Sequence, residues 1–187
     1  MRPPRELCFR AACLAFTVFS ASPAAAEVVQ ASEEGFVVAG TGYTKAGPAF
    51  VWAELVRPAR WWSKSHTWSG DSDNLSLDPQ SAGCFCEDLP DGGSAEHMRV
   101  IHVLPDSLLR MKGALGPLQS EAVDAVLTIE LKTTDGITSI EWTYVVGGYA
   151  RFSLHDIAPA VDGVLTEQME RLGSLIDFGN PGHFDDR

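Results

Sequence analysis

Apolar and polar side chains alternate most regularly in two consecutive segments, residues 122–132 and 137–146. Such alternation indicates β-strands that bury one side and expose the other. The intervening Thr134-Asp135-Gly136 is typical of a tight β-hairpin turn, so the two strands are predicted to pair in antiparallel fashion. Their apolar faces comprise Val123, Ala125, Leu127, Ile129 and Leu131 in the first strand, and Ile140, Trp142, Tyr144 and Val146 in the second.

Shorter segments rich in β-branched and aromatic residues predict further strands upstream. The first of them, residues 35–44, follows a lead-in at residues 27–33 that is expected to fray. A helix is predicted to begin at Pro48 and to break before Pro58, with a second helical turn at residues 59–62. Turn signals then separate four strands at residues 75–77, 84–89, 95–103 and 108–112.

The period changes near the C-terminus, where apolar residues recur every three or four positions over residues 155–177. This spacing predicts an amphipathic helix, and the sheet is its only large apolar partner. The predicted fold is therefore α+β, a curved antiparallel sheet of about seven strands around a long C-terminal helix. The predicted order is one strand, two short helices, six strands and the long helix. Because the helix is not expected to fill the curl of the sheet, an apolar cavity is predicted between them.

The first 26 residues have the layout of a secretory signal peptide. Three arginines precede an apolar run at residues 11–19 and the small-residue site Ala24-Ala25-Ala26. That run reaches only about 14 Å as a helix, too short to cross a bilayer, and no later run predicts stable membrane insertion. We therefore expect cleavage after Ala26 and a periplasmic or secreted protein. A single domain is predicted at residues 27–187, with its core at about residues 34–178.

The chain is acidic, with 25 Asp and Glu against 14 Lys and Arg and a net charge of −11. Loss of the predicted signal peptide, which carries three Arg and one Glu, would bring the net charge to −13. Nucleic acids and anionic membranes select clustered Lys and Arg, so the composition argues against both as partners. The composition does not indicate an oligomeric state.

Two cysteines, Cys84 and Cys86, remain after the predicted cleavage. On a regular strand two such residues lie about 6.5–7 Å apart, at the limit of what a disulfide bridges. Two half-buried free thiols are therefore the expected state, with a disulfide in an oxidising compartment as the alternative. A metal site with His97 would have too few ligands for structural zinc, and neither a metal nor another cofactor is predicted.

A helix that ends in a tryptophan pair is the most distinctive stretch, at residues 51–55 (VWAEL) and 58–62 (PARWW). With residues 75–79, 82–87, 96–100, Pro105, 108–110, 113–118 and 144–149, it resembles the SRPBCC (START-like, helix-grip) superfamily. The resemblance covers about residues 34–178 and is greatest to the branch named after the activator of a heat-shock chaperone's ATPase. Where that branch usually has two glycines before the third strand, this chain has Ala82-Gly83.

The resemblance implies a helix-grip fold with a cavity for an apolar or amphipathic ligand. The branch name implies regulation of a cytosolic chaperone, which an exported protein would not meet. A binding protein for a small hydrophobic ligand is therefore the main functional prediction. Trp61 and Trp62 are expected at the cavity mouth beside His66, although two packed indoles could instead plug the end of the sheet. The predicted lining is Leu127, Ile129, Leu131, Trp142, Tyr144, Met169 and Leu172.

Two other functions stay open. A cyclase- or hydratase-type enzyme would use internal His and Tyr side chains as acid and base. His102 is expected to face inward and could pair with Tyr144, whereas His97 is expected to point outward unless it pairs with Glu87. A chaperone-like interaction protein would instead use a sheet edge or groove. The sequence carries no nucleotide-binding, nucleophile-elbow or zinc-protease motif, so no catalytic residue is assigned.

Overall fold

The computed structural model describes residues 27–184, so the predicted signal peptide lies outside the described residues. Within that range the chain forms one antiparallel sheet, two α-helices and several short 3-10 turns. The α+β prediction is confirmed. The strands are β1 (Glu27–Ser32), β2 (Gly35–Thr44), β3 (Leu75–Leu77), β4 (Cys84–Asp88), β5 (Ser94–Leu104), β6 (Leu108–Lys112), β7 (Ala122–Thr134) and β8 (Ile137–Tyr149). The helices are α1 (Pro48–Leu55) and α2 (Leu154–Phe178).

The strands are ordered β1-β2-β8-β7-β6-β5-β4-β3 across the sheet. The predicted helical turn at residues 59–62 is a 3-10 turn, Pro58–Arg60, and the loop that follows contains two more, Lys64–His66 and Ser72–Asn74. Another 3-10 turn, Gly116–Ser120, connects β6 to β7. In the described part of the chain, neither helix is long and apolar enough to cross a bilayer.

The prediction that residues 27–33 fray is wrong. They contain β1, which pairs with β2 and gives the sheet an eighth strand in the described range. Val28 and Ala31 pack against the core, and the register shifts between Val28 and Gln30. This irregularity breaks the alternation by which a strand is recognised from sequence.

The β7–β8 hairpin forms as predicted, with Thr134 opposite Ile137. Its two turn residues, Asp135 and Gly136, have φ angles of 53° and 77°. Positive φ at both positions matches the twist of the flanking strands, and Asp-Gly is a favoured pair for this turn. The alternate residues predicted to face inward are buried, from Ala125 to Leu131 in β7 and from Ile140 to Val146 in β8.

Helix α2 has a defined start and end. Ser153 accepts a hydrogen bond from the Asp156 N–H at 3.1 Å, and Gly179, with φ of 72°, ends the helix in the left-handed conformation. Its buried residues face the sheet and α1, and include Leu165, Met169 and Leu172. This apolar face provides the hydrophobic partner that the sheet requires.

The interior between α2 and the sheet is almost filled. Among the described residues, the cavity lined by Trp61, Leu127, Ile129 and Met169 measures about 20 Å³, room for a single water molecule. The large sheet–helix cavity expected from the sequence is not found there, because the side chains expected to line it pack against one another instead.

Cys84 and Cys86 form a disulfide, so the expectation of two free thiols is wrong. Their Cα atoms lie 5.4 Å apart, closer than on a regular strand and within the ordinary range for a disulfide. The pairing of β4 with β5 shifts register between Phe85 and Cys86. The pairing is therefore irregular beside the two cysteines, whereas the expectation of free thiols assumed a regular strand.

Candidate functional site

A groove of about 370 Å³ opens beside the N-terminal half of α2. One wall is the helix, with Ile157, Val161, Val164 and Leu165. The opposite wall is the loop after the tryptophan pair, and the end is closed by the β6–β7 connection. We call this cavity the Trp68 groove, and its remaining lining residues are Trp62, Ser65, His66, Thr67, Trp68, His97, Leu115, Gly116, Pro117 and Ala160.

Buried polar contacts fix the loop that forms this wall. The backbone N–H of Ser63 donates to Oε1 of Gln168 at 2.7 Å, which ties the start of the loop to α2. The indole Nε1–H of Trp62 donates to the carbonyl of His66 at 3.0 Å. The Trp62 ring also meets Phe85 edge-on at a centroid distance of 5.4 Å. Trp62 is 6% exposed, whereas Trp68 is 53% exposed, so the loop presents Trp68 to solvent.

Glu87 of β4 holds the second half of the loop. Its side chain is fully buried and accepts hydrogen bonds from the backbone N–H groups of Trp68 at 3.0 Å and Ser69 at 2.5 Å. It also accepts from Nε2 of His97 at 2.8 Å. Burial raises the pKa of Glu87, but the hydrogen bonds from Ser69, Trp68 and His97 outweigh burial and hold the pKa below its ordinary value. Glu87 is therefore a carboxylate at neutral pH.

His97 reaches the interior because of a β-bulge. In the pairing of β4 with β5, Phe85 lies opposite Met98 and Cys86 lies opposite Glu96, which leaves His97 as the unpaired residue. His97 and Met98 are consequently both buried, although neighbouring strand residues normally face opposite ways. His97 is 7% exposed, packs against the Phe85 ring and lines the Trp68 groove.

A second histidine–carboxylate pair lies at the rim of the groove. Nε2 of His66 is 2.9 Å from Oε2 of Glu167, and the two side chains are 31% and 28% exposed. The pair links the loop to α2, where solvent can reach it. Among residues 27–184, no group of three or more His, Cys, Asp or Glu side chains is arranged to hold a metal ion.

The end wall is held by Tyr144. Its hydroxyl donates to the carbonyl of Gly113 at 3.2 Å and accepts from the N–H of Leu115 at 3.0 Å. Gly113 has a φ of 155°, and a Cβ there would overlap the backbone of His97 and Met98. The connection therefore passes close to β5, and Leu115 and Pro117 line the groove.

The structure divides the predicted site residues among three places. Trp62 and His66 line the Trp68 groove. Trp61 is buried, donates its Nε1–H to the Glu54 carbonyl at 3.1 Å, and lines the water-sized cavity. The same cavity is lined by Leu127, Ile129 and Met169, whereas Leu131, Trp142, Tyr144 and Leu172 belong to the packed core.

The expected directions of His102 and His97 are wrong. The pairing of β5 with β6 shifts register between Val100 and His102, which leaves both Ile101 and His102 exposed. His97, expected to point outward, is buried by the earlier bulge. The Glu87–His97 pairing that the sequence left open is confirmed. Sequence reasoning missed the contribution of Ile157, Val161 and Val164, because it assigned the whole apolar stripe of α2 to the sheet.

Comparison with known proteins supports the fold. CalU16 from Micromonospora echinospora is 13% identical, with a TM-score of 0.52 over 83% of this chain and 88% of its own. The Enterococcus faecalis protein EF2215, of unknown function, is 13% identical, with a TM-score of 0.54 over 83% of this chain and 78% of its own. DynU16, from the dynemicin biosynthetic locus, is 17% identical, with a TM-score of 0.54 over 80% of this chain but only 50% of its own.

At such low identity the likeness to these structures concerns the fold alone. No protein-family model and no curated protein sequence matches the chain. The comparisons therefore support the fold, and neither a superfamily nor a branch within it is identified by them.

Proposed function

We propose that this protein binds a small amphipathic ligand in the Trp68 groove. The observation that carries the proposal is the open volume of about 370 Å³ at the groove, beside a sheet–helix interior with room for one water molecule. Small-molecule sites are typically concavities of about 300–1,000 Å³ with mostly apolar walls and a few polar groups.

The two walls of the groove differ in polarity, which favours an amphipathic ligand. The α2 wall is apolar, with Ile157, Val161, Val164 and Leu165. The loop and β5 contribute polar side chains beside the two indoles, namely Ser65, His66, Thr67 and His97. An apolar body would pack against the helix, while hydroxyl, carbonyl or amine groups would meet the polar wall.

Charge in the groove favours a ligand that is not an anion. Two histidines that line the groove are each hydrogen-bonded to a carboxylate: His97 to the buried Glu87 and His66 to Glu167 at the rim. The whole chain is acidic, with a net charge of −11, so long-range attraction would also favour neutral or cationic molecules. A neutral dye is therefore the appropriate reporter of the groove.

We also propose that the protein is exported and that its signal peptide is cleaved after Ala26. The proposal is supported by the basic, apolar and small-residue order of the first 26 residues. The Cys84–Cys86 disulfide is a second support, because disulfides persist mainly in oxidising compartments. The mass of the protein recovered from the periplasm or medium tests the proposal, since cleavage predicts a chain that begins at Glu27.

The binding proposal is tested by titration with the neutral dye N-phenylnaphthylamine, whose fluorescence rises in apolar surroundings. Val161→Arg places a charge on the apolar wall and is expected to weaken binding at least about tenfold, or 1.4 kcal/mol. The matched control is Ile101→Arg, because Ile101 is an exposed apolar residue, 47% accessible, on β5. Equal dye affinity in the two variants would overturn the proposal.

Native mass spectrometry of the protein purified from its own source identifies the ligand class. A retained small molecule that Val161→Arg releases would support binding at the groove. The same adduct on both Val161→Arg and wild type would place the ligand elsewhere and contradict the proposal.

A further inference from the structure

His97 is the most unusual side chain of the Trp68 groove. It is the unpaired residue of a β-bulge, is 7% exposed, and reaches the groove from the strand that lines its inner end. Bulges recur next to functional sites because they redirect a side chain without ending the strand. Here the bulge brings an imidazole into a groove whose α2 wall is apolar.

The two ring nitrogens of His97 have different surroundings. Nε2 lies 2.8 Å from the Glu87 carboxylate, which also accepts the N–H groups of Trp68 and Ser69. A carboxylate only accepts hydrogen bonds, so the hydrogen of the neutral ring lies on Nε2. Among the residues that the structure describes, Nδ1 has no hydrogen-bond partner, which leaves its lone pair for a ligand.

We propose that His97 acts as a general base that removes a proton from the ligand in the Trp68 groove, with Glu87 as its positioning residue. The inference rests on the proposed function, because it requires the ligand to occupy that groove. An imidazole whose tautomer is fixed by a buried carboxylate is an effective proton acceptor, since the carboxylate stabilises the imidazolium that forms.

The surroundings fit proton transfer to a mostly apolar substrate. The Glu87 side chain is fully buried, His97 is 7% exposed, and the Phe85 ring packs against the imidazole. An oriented base beside a bound substrate lowers the barrier to removal of a weakly acidic proton. We therefore infer an amphipathic carbonyl compound whose acidic C–H group lies between the carbonyl and a carbon–carbon double bond.

The step balances without any co-reactant. Nδ1 takes the proton, and the C–H electron pair is delocalised over the carbonyl oxygen and the neighbouring carbon–carbon double bond as a dienolate. When the imidazolium returns the proton to the far carbon of that double bond, the base is regenerated and the product is the conjugated isomer of the substrate.

The test uses nitrobenzisoxazole, a small apolar molecule whose ring opens on proton removal. The base takes the ring C–H proton, the freed electron pair completes a nitrile, and the N–O bond breaks to leave a coloured phenolate. A positioned general base contributes roughly 10²–10⁴-fold to such a step. We expect His97→Gln to lower the elimination rate at least about tenfold. The control His102→Gln, an exposed histidine on the same strand, should leave the rate unchanged.

The Glu87→Gln variant tests whether Glu87 positions the His97 ring or only stabilises the fold. We expect it to lower the rate and to change the NMR signals of the isotopically labelled His97 nitrogens, because an amide no longer fixes the hydrogen on Nε2. If His97→Gln does not fold, Val161→Arg, which blocks the groove and leaves the pair in place, must abolish the elimination.

Dye binding distinguishes the two proposals. If wild type and His97→Gln both bind N-phenylnaphthylamine but open nitrobenzisoxazole equally fast, proton abstraction by His97 is wrong and ligand binding stands. If wild type binds neither compound in the groove, the proposed function fails, and the inference fails with it. A rate that Val161→Arg leaves unchanged would likewise overturn the inference.

Discussion

The hydroxyl of Tyr144, on β8, lies 3.0 Å from the backbone nitrogen of Leu115, which lines the end wall of the Trp68 groove. Tyr144 also donates to the Gly113 carbonyl at 3.2 Å, and its side chain is fully buried. One phenol therefore connects the packed core to the groove, so a change in the core reaches the site through it.

Tyr144→Phe should reduce stability and weaken ligand binding together. Loss of the hydroxyl leaves the Leu115 N–H and the Gly113 carbonyl without this partner, at a cost of about 1–3 kcal/mol. The end wall would then be held less firmly, and dye affinity should fall. Urea unfolding and dye titration measure the two effects. The control Tyr43→Phe changes a tyrosine that is 69% exposed, and equal results for both variants would contradict the prediction.

Alkaline pH should remove the stabilisation that the Tyr144 hydroxyl gives to the folded protein. Burial raises the pKa of Tyr144 above its usual value and outweighs the hydrogen bond from Leu115, which lowers it. The unfolded chain loses this proton near pH 10, whereas the folded protein resists its loss. The stabilisation is therefore present below about pH 10 and is lost as pH rises further. The difference in unfolding free energy between wild type and Tyr144→Phe should shrink above about pH 10, and a constant difference would contradict this.

Most of the fold could be predicted because regular alternation survives in the longest elements. The faces of β7 and β8 and the turn at Asp135-Gly136 follow local rules that need no tertiary information. Strand β1 was missed because a register shift interrupts its alternation. The Cys84–Cys86 disulfide was misjudged because the strand spacing was taken as regular.

The site was predicted less well because two bulges in β5 determine which of its side chains face the groove. Each inserts an unpaired residue and reverses the alternation beyond it, so His97 turns inward and His102 turns outward. A period-2 pattern assumes strict alternation along the strand, so it cannot place such an insertion, whether the extra residue is polar, as His97 is, or apolar, as Ile101 is. The size of any cavity between α2 and the sheet depends on the volumes of the packed side chains. The pattern of apolar and polar residues does not contain those volumes.

Glu87→Gln should destabilise the protein at neutral pH by about 1–3 kcal/mol, because the buried carboxylate accepts three hydrogen bonds that an amide cannot all accept. The pKa of Glu87 is lowered in the folded protein, so its contribution is present above the unfolded value near 4.3 and is lost as pH falls through the lower folded value. Urea unfolding at several pH values measures this.

The difference between wild type and Glu87→Gln should therefore narrow below about pH 4.3. The control Asp88→Asn changes the adjacent, exposed carboxylate and should have little effect at any pH. A pH-independent difference for Glu87→Gln would show that the amide disturbs packing and not the charged hydrogen bonds.

Gly40→Ala should destabilise the sheet by about 1–3 kcal/mol through overpacking. Gly40 pairs with Trp142 across β2 and β8, and a Cβ at Gly40 would overlap the indole ring. Gly42 is the matched control, because it lies on the same strand and a Cβ there meets no atom within 4 Å. Gly42→Ala should be neutral or slightly stabilising in thermal unfolding, and equal losses in the two variants would contradict the packing argument.

Replacement of the disulfide should change stability only modestly. Cys84 and Cys86 enclose one residue, and the stabilisation from a disulfide falls as the closed loop shortens. We expect the Cys84→Ser, Cys86→Ser double variant to lose less than about 2 kcal/mol in urea unfolding, below the usual value for longer loops. Alkylation under denaturing conditions checks the bond itself: protein from an oxidising compartment should gain no adduct until a reductant is added, and then two. A reductant should leave the unfolding curve of the double variant unchanged, whereas adducts formed without reductant would show that the two thiols are free.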